Sequence, residues 1–191
     1  MKLFVEFGKG KHMSKIGRKP IPLNGVTVEI KGQTIHYKGQ FASGIYTIPA
    51  ELSLVADSTS VALVVAQQTR DTNRLWGLHR ALLASKIGGA HKLFEKQVRI
   101  TGLGFKAIAQ GKKIEFTLGY SHKIYFDLPE AVVVDIDKTG QLLTVKSADK
   151  QAMGDVCGKF REFRPTEPYK GTGILVAGDL LIRKAGKGKG K

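Results

Sequence analysis

Residues Val26 to Tyr37 read VTVEIKGQTIHY: two short runs in which apolar and polar residues alternate, parted by Gly32. Alternation with a period of two is the mark of a strand with one buried face, and a glycine between two such runs is a turn signal. Gly44 to Ile48 and Val61 to Ala66 continue the pattern, with Gly39 and Pro49 as further breaks. Then the period changes. Leu75, Leu78 and Leu82 recur at i, i+3 and i+7 while Arg70, Arg74 and Lys86 stand off that stripe, which predicts an amphipathic helix with Asp71 in its first turn. Gly88-Gly89 is expected to stop it, because glycine readily takes the left-handed conformation that closes a helix.

The plan then restarts. Gln97 to Ile100, Phe105 to Ala109, Lys113 to Leu118, Lys123 to Leu128, Val132 to Ile136 and Leu142 to Lys146 read as strands. A second helix follows, with Met153, Val156, Cys157, Phe160 and Phe163 on one side and Lys150, Lys159 and Glu162 on the other, ended by Pro165. Gly154 and Gly158, one turn apart, are expected to admit a strand or backbone closely. Ile48-Pro49 matches Leu128-Pro129, Val61 to Val65 matches Leu142 to Lys146, and Trp76-Gly77 matches Met153-Gly154. The offset is nearly constant, so the expected architecture is α+β: two tandem homologous domains, each a small, largely antiparallel sheet packed with one main helix. The expected boundaries are 13–94 and 95–182, followed by a basic flexible tail over 183–191. Met13 reads as a more natural start than Met1, so residues 1–12 are taken as an extension or artefact.

Charge narrows the function. The chain has 31 Lys and Arg against 16 Asp and Glu, a formal +15, which makes nucleic acid the default partner and anionic membrane the second. The excess is uneven. Residues 95–155 hold nine basic against eight acidic groups, whereas 156–191 hold nine against three. The first half concentrates its excess in residues 1–20, with six against one, and 70–94, with five against one. Pro165 to Ile174, PTEPYKGTGI, joins stiffening prolines and backbone-exposing glycines to Tyr169, a stacking ring, and Lys170, a phosphate partner.

Other chemistries find little. Gly102 to Ala107 matches the G-x-G-x-x-A dinucleotide fingerprint, but a strand is expected after it where the fingerprint needs a helix. His12, His36, His79, His91 and His122 fall at no metal-ligand spacing, and no catalytic constellation is present, so neither metal, cofactor nor enzymatic activity is expected. A lone Cys157 excludes an internal disulfide and fits a reducing compartment, and no apolar run approaches a membrane span.

MSKIGRKPI at Met13 to Ile21, VTVEIKGQ at Val26 to Gln33, RITGLGFKA at Arg99 to Ala107, LGYSH at Leu118 to His122, PTEPYKGTGI, and AGDLLIRKAGK at Ala177 to Lys187 come in an order that resembles the bacterial-type large ribosomal subunit protein six family. The resemblance implies a structural rRNA-binding protein whose second domain does most of the binding, near the sarcin-ricin loop and the stalk base. It implies large-subunit rRNA and neighbouring ribosomal proteins, including stalk-base components, as partners, a monomer within the ribosome, and no membrane. The location implied is the bacterial cytoplasm, with an organelle matrix as the alternative. The candidate rRNA contacts are Gly104, Lys106, Ser121, His122, Lys159, Arg164, Tyr169, Lys170, Gly171, Gly173, Arg183, Lys184 and Lys187. Against the family pattern, Thr172 replaces a Lys, Asp179 replaces a Glu, and Lys123 stands where a Pro commonly follows the Ser-His pair. Lys123 is expected to restore nearby part of the charge lost at Thr172. Rival readings are a polyanion or membrane-surface binder acting through Lys187 to Lys191, and a nucleotide-dependent enzyme using Gly102 to Ala107.

Overall fold

The structure is a computed structural model that describes residues 14–65, 67 and 69–187, so the expectations for 1–12 and for the last four residues lie outside the described residues. The chain divides between Leu93 and Phe94 into two compact units.

The first unit runs β1 (Ile21–Pro22), β2 (Thr27–Lys31), β3 (Thr34–Lys38), β4 (Ser43–Thr47), β5 (Leu52–Ala56), β6 (Ser60–Val65) and α1 (Arg70–His91). The second runs β7 (Phe94–Thr101), β8 (Lys106–Gln110), β9 (Lys113–Thr117), β10 (Ile124–Asp127), β11 (Val132–Ile136), β12 (Leu142–Ser147), α2 (Lys150–Phe163) and β13 (Gly173–Val176). The α+β class holds, and in each unit the strands are shared between two small antiparallel sheets. One is a meander, β2-β3-β4 or β8-β9-β10. The other is ordered β1-β6-β5 in the first unit and β11-β12-β7-β13 in the second. The short β1, β5 and β13 are additions to the strands expected.

The repeat extends to single hydrogen bonds. The Ile48 N–H donates to Gln33 O at 2.9 Å and the Leu128 N–H to Lys112 O at 2.9 Å. The Leu52 N–H donates to Pro49 O at 3.1 Å and the Val132 N–H to Pro129 O at 3.0 Å. The two matching prolines thus accept the same bond at the start of the same strand. β13 has no counterpart in the first unit, where the chain leaves α1 and enters β7.

In the first unit Ile21, Ile35, Val61 and Leu63 of the sheets, with Ile48 just after β4, pack with Trp76, Leu83, Ile87 and Ala90 of α1. Trp76 is buried, and its indole N–H donates to Leu63 O at 2.8 Å, which satisfies its one polar atom. The leucine stripe is therefore a correction. Leu75 is half-buried, but Leu78 and Leu82 are 52% and 40% exposed, and the face that packs is the one carrying Trp76 and Leu83. The expected stop is a second correction. α1 runs through Gly88-Gly89 to His91, and Lys92 caps it in an extended conformation, its N–H donating to Gly88 O at 2.9 Å. The Phe41 N–H takes up Ala90 O at 3.1 Å, so a bond from the β3–β4 loop satisfies a carbonyl of the last turn and no left-handed residue is needed. Thr69 opens the helix with a capping box: its side chain accepts from the Thr72 N–H, and its own N–H donates to Thr72 Oγ1 at 2.8 Å.

In the second unit α2 buries Met153, Val156, Cys157 and Phe160, as its periodicity predicts, packing on β7, β12 and β13 while Phe160 also meets Phe116 and Phe126 of the meander. Phe116, Phe126, Phe160 and Phe163 form an aromatic cluster with centroids 5.1 Å apart for Phe116 and Phe160 and 5.2 Å for Phe126 and Phe160. Fully burying one such ring contributes about 1.5–3 kcal/mol. Gly154 and Gly158 correct another expectation. A Cβ added at either would meet nothing within 4 Å, so these glycines admit no neighbouring strand. Burial holds the Cys157 thiol above its usual pKa, an unreactive core position. No helix of the described residues is long and apolar enough to cross a membrane.

Candidate nucleic-acid interface

Three segments of the second unit converge around one guanidinium. Arg164 follows α2 directly, and its Cζ lies 4.8 Å from the Tyr120 ring centroid and 5.8 Å from the Phe105 centroid. Both distances are within range of a cation–π attraction. Tyr120 Oη donates to Phe163 O at 3.1 Å, satisfying a carbonyl that the helix end leaves without an internal partner. Tyr120 also lies nearly parallel to His122, with centroids 5.8 Å apart and 19° between planes.

The glycines of the RITGLGFKA and LGYSH motifs are explained by this arrangement. A Cβ at Gly119 would come within 2.7 Å of the Phe105 ring, and one at Gly102 would clash with the same ring. Both also have positive φ, so they seat Phe105 where no other residue would. The dinucleotide fingerprint is spent here on a turn: Lys106–Gln110 is strand β8, paired antiparallel with β9, and no helix follows Gly104. At the turn's tip Leu103 is fully exposed and Gly104 is exposed beside it.

The PTEPYKGTGI segment is a closed loop. The Ile174 N–H donates to Arg164 O at 2.8 Å, the Glu167 N–H to Thr172 O at 2.9 Å, and the Gly171 N–H to Glu167 O at 3.0 Å. Thr172 Oγ1 donates to Glu167 Oε2 at 3.0 Å, so the residue that departs from the family pattern braces the loop. The space that Gly173 leaves is filled by the backbone of Arg164 to Thr166, and that of Gly171 by Leu181 and Arg183. Their close approaches are to the chain itself. The Lys184 N–H donates to Pro168 O at 2.9 Å, which lays the start of the C-terminal segment along the loop. Tyr169 is 54% exposed, and Lys170, Arg183, Lys184 and Lys187 are exposed.

Pairing separates two sets of cations. Lys112, Lys113 and Lys146 face Glu130, Asp127 and Asp135, and Arg161 reaches Asp179 at 3.3 Å. Lys123 is 2.7 Å from Glu115, whose side chain is buried. That pair ties the Lys123 ammonium to Glu115, because a buried carboxylate without its partner would be costly. The hydrogen bond from Lys123 keeps the Glu115 carboxyl below its usual pKa, and Gln110 Nε2 donates to its other oxygen at 3.2 Å. By contrast, among the described residues Lys106, Lys159, Arg164, Lys170, Arg183, Lys184 and Lys187 form no ion pair. Lys159 instead rests 5.8 Å from the Phe126 centroid. No group of three His, Cys, Asp or Glu among the described residues converges to hold a metal.

The structure thus gathers Gly104, Ser121, His122 and Arg164 on the turns around Phe105, and Tyr169, Lys170, Gly171, Gly173, Arg183 and Lys184 on the closed loop. Arg164 links the two sets through its own carbonyl. Lys106 opens β8, and Lys159 is exposed on α2. Phe105 and Tyr120 were not among the expected contacts, although both stand inside the quoted motifs, next to residues that were.

The family model for ribosomal protein L6 matches residues 101–177, a span that holds the Phe105 turn, α2 and the closed loop. Large ribosomal subunit protein uL6 of Methylorubrum extorquens (strain PA1) is 36% identical over 178 residues, covering 93% of this chain and 100% of the relative. The proteins of the same name from Brucella melitensis biotype 1 and Ruegeria pomeroyi are 35% and 36% identical over the same shares. With matches of that length from end to end of the relatives, the chain belongs to the bacterial-type ribosomal protein L6 family.

Proposed function

We propose that the protein is a structural component of the large ribosomal subunit that binds 23S-type rRNA chiefly through its second unit. The bound region is placed near the sarcin-ricin loop and the stalk base. The curated relatives are named as large-subunit ribosomal proteins and not as enzymes, and their name carries the subunit assignment. The observation that carries the binding reading is the cluster of unpaired cations Lys170, Arg183, Lys184 and Lys187 on the closed loop and the segment laid along it, whereas Lys112, Lys113, Lys123 and Lys146 are each paired with a carboxylate. Unpaired cations release counterions from phosphate and so position the protein. The first unit, whose excess charge lies on α1 and the segment before β1, braces neighbouring components, stalk-base proteins among them. The chain acts as a monomer within the ribosome in the bacterial cytoplasm.

Chemical footprinting of the full chain on bacterial large-subunit rRNA tests this. Protections at the sarcin-ricin loop and stalk base that are lost on Lys170→Ala support the reading. Protections elsewhere, or none above those given by an unrelated basic protein, contradict it.

A further inference from the structure

We infer that the His122 ring, lying beside the fixed Tyr120, is a seat for one unpaired base of looped RNA. The inference rests on the rRNA-binding reading and names what one part of that surface recognises.

Phe105 is enclosed by Gly102 and Gly119, and Arg164 lies over both Phe105 and Tyr120. Tyr120 is 41% exposed yet fixed by its hydrogen bond to Phe163 O, and His122 lies nearly parallel to it and is exposed. Packing and hydrogen bonding have therefore already restricted Tyr120, so a base that stacks here has only the His122 ring beside it to order. Leu103, fully exposed on the turn that carries Phe105, adds apolar surface that water does not reward.

A flat aromatic group presented in this way selects its ligand. Paired bases in an A-form helix keep their faces stacked within the duplex and offer side chains only edges, 2′-hydroxyls and phosphates. Unpaired bases in loops and bulges expose a face, and stacking on it discriminates loop from duplex without any base-edge contact. Phosphate, the other candidate ligand, is better served by Lys170 and Lys184 on the closed loop.

The test uses the full chain and two probes: in-vitro transcribed bacterial large-subunit rRNA, and a blunt RNA duplex of random sequence. His122→Ala is expected to weaken binding to the rRNA by about thirtyfold, the middle of the range for one lost base–aromatic stack. Affinity for the duplex and the dependence of log K on log salt should not move, because stacking releases no counterions. His122→Phe, which keeps a ring and removes the nitrogens, should retain binding to the rRNA. Equal losses in the Ala and Phe variants would overturn the stacking seat, as would an Ala variant that binds the rRNA like the parent. Failure of the underlying rRNA reading shows separately, as equal affinity of the unaltered chain for the two probes.

Discussion

The Arg164 guanidinium lies over the Tyr120 ring at 4.8 Å while the Tyr120 hydroxyl donates to the carbonyl of Phe163, one residue before Arg164. The end of α2 and the Gly119–His122 turn are thereby locked together at two points, one cationic and one polar. Arg164→Ala should lower the stability of the second unit by about 0.5–1 kcal/mol, the size of a partly exposed cation–π contact. Urea denaturation followed by tyrosine fluorescence reads this, and Arg164→Lys should recover only part of it, since a compact ammonium stacks less well than a planar guanidinium.

Gly119→Ala should cost more. The added methyl group meets the Phe105 ring at 2.7 Å and forces a non-glycine residue to φ near +75°. Overpacking alone costs about 1–3 kcal/mol. A thermal unfolding midpoint that does not fall would mean that Phe105 moves aside freely.

The Glu115–Lys123 pair gives a pH signature. The folded-state pKa of Glu115 is lowered, so its contribution is fully present above the ordinary glutamate value of 4.5 and is lost as pH falls through the lower folded value. Lys123→Ala should therefore destabilise the second unit at pH 7. The gap between variant and parent should close once the pH drops below the folded value, because a protonated carboxyl no longer needs the ammonium. A gap that persists undiminished in acid would assign the loss to packing of the lysine stem.

Two leucines of α1 make a direct comparison. Leu83 is fully buried and Leu78 is half exposed, although both fall on apolar stripes of helical period. Leu83→Ala should cost about 2–5 kcal/mol, and Leu78→Ala should stay within about 0.5 kcal/mol of the parent by chemical denaturation.

That contrast shows how far the chain can be read without its structure. Strands with clean alternation, such as Val132–Ile136, and the single-sided apolar face of α2 are legible because only one arrangement buries them. α1 carries two apolar stripes, one through Leu75, Leu78 and Leu82 and one through Trp76, Leu83 and Ile87, and tertiary packing alone decides between them. Its end escapes local rules as well, because the group that takes up Ala90 O is the Phe41 N–H, far away in sequence. β1 is two residues ending in proline, and β13 begins at a glycine inside a motif read for its chemistry. At the interface the motifs locate the turns and the loop, but not the cause of their glycines. Gly102 and Gly119 serve Phe105, and Gly171 and Gly173 make room for the chain's own Arg183 and Pro165. The pairing of Lys123 with the buried Glu115 across the β9–β10 turn is likewise invisible in the motif that contains Lys123's neighbours.

The proposed grip of the second unit on rRNA through its unpaired cations is tested most directly by comparing Lys170→Ala with Lys38→Ala in filter binding to large-subunit rRNA across a salt series. Lys38 ends β3 in the first unit, a strand region with little net charge. If about five phosphates are engaged in duplex-like RNA, log K should fall with log salt at a slope of about −4. Lys170→Ala should weaken binding and make that slope shallower by about one, while Lys38→Ala leaves both as they were. Equal losses from the two variants would contradict the placement of the interface on the second unit.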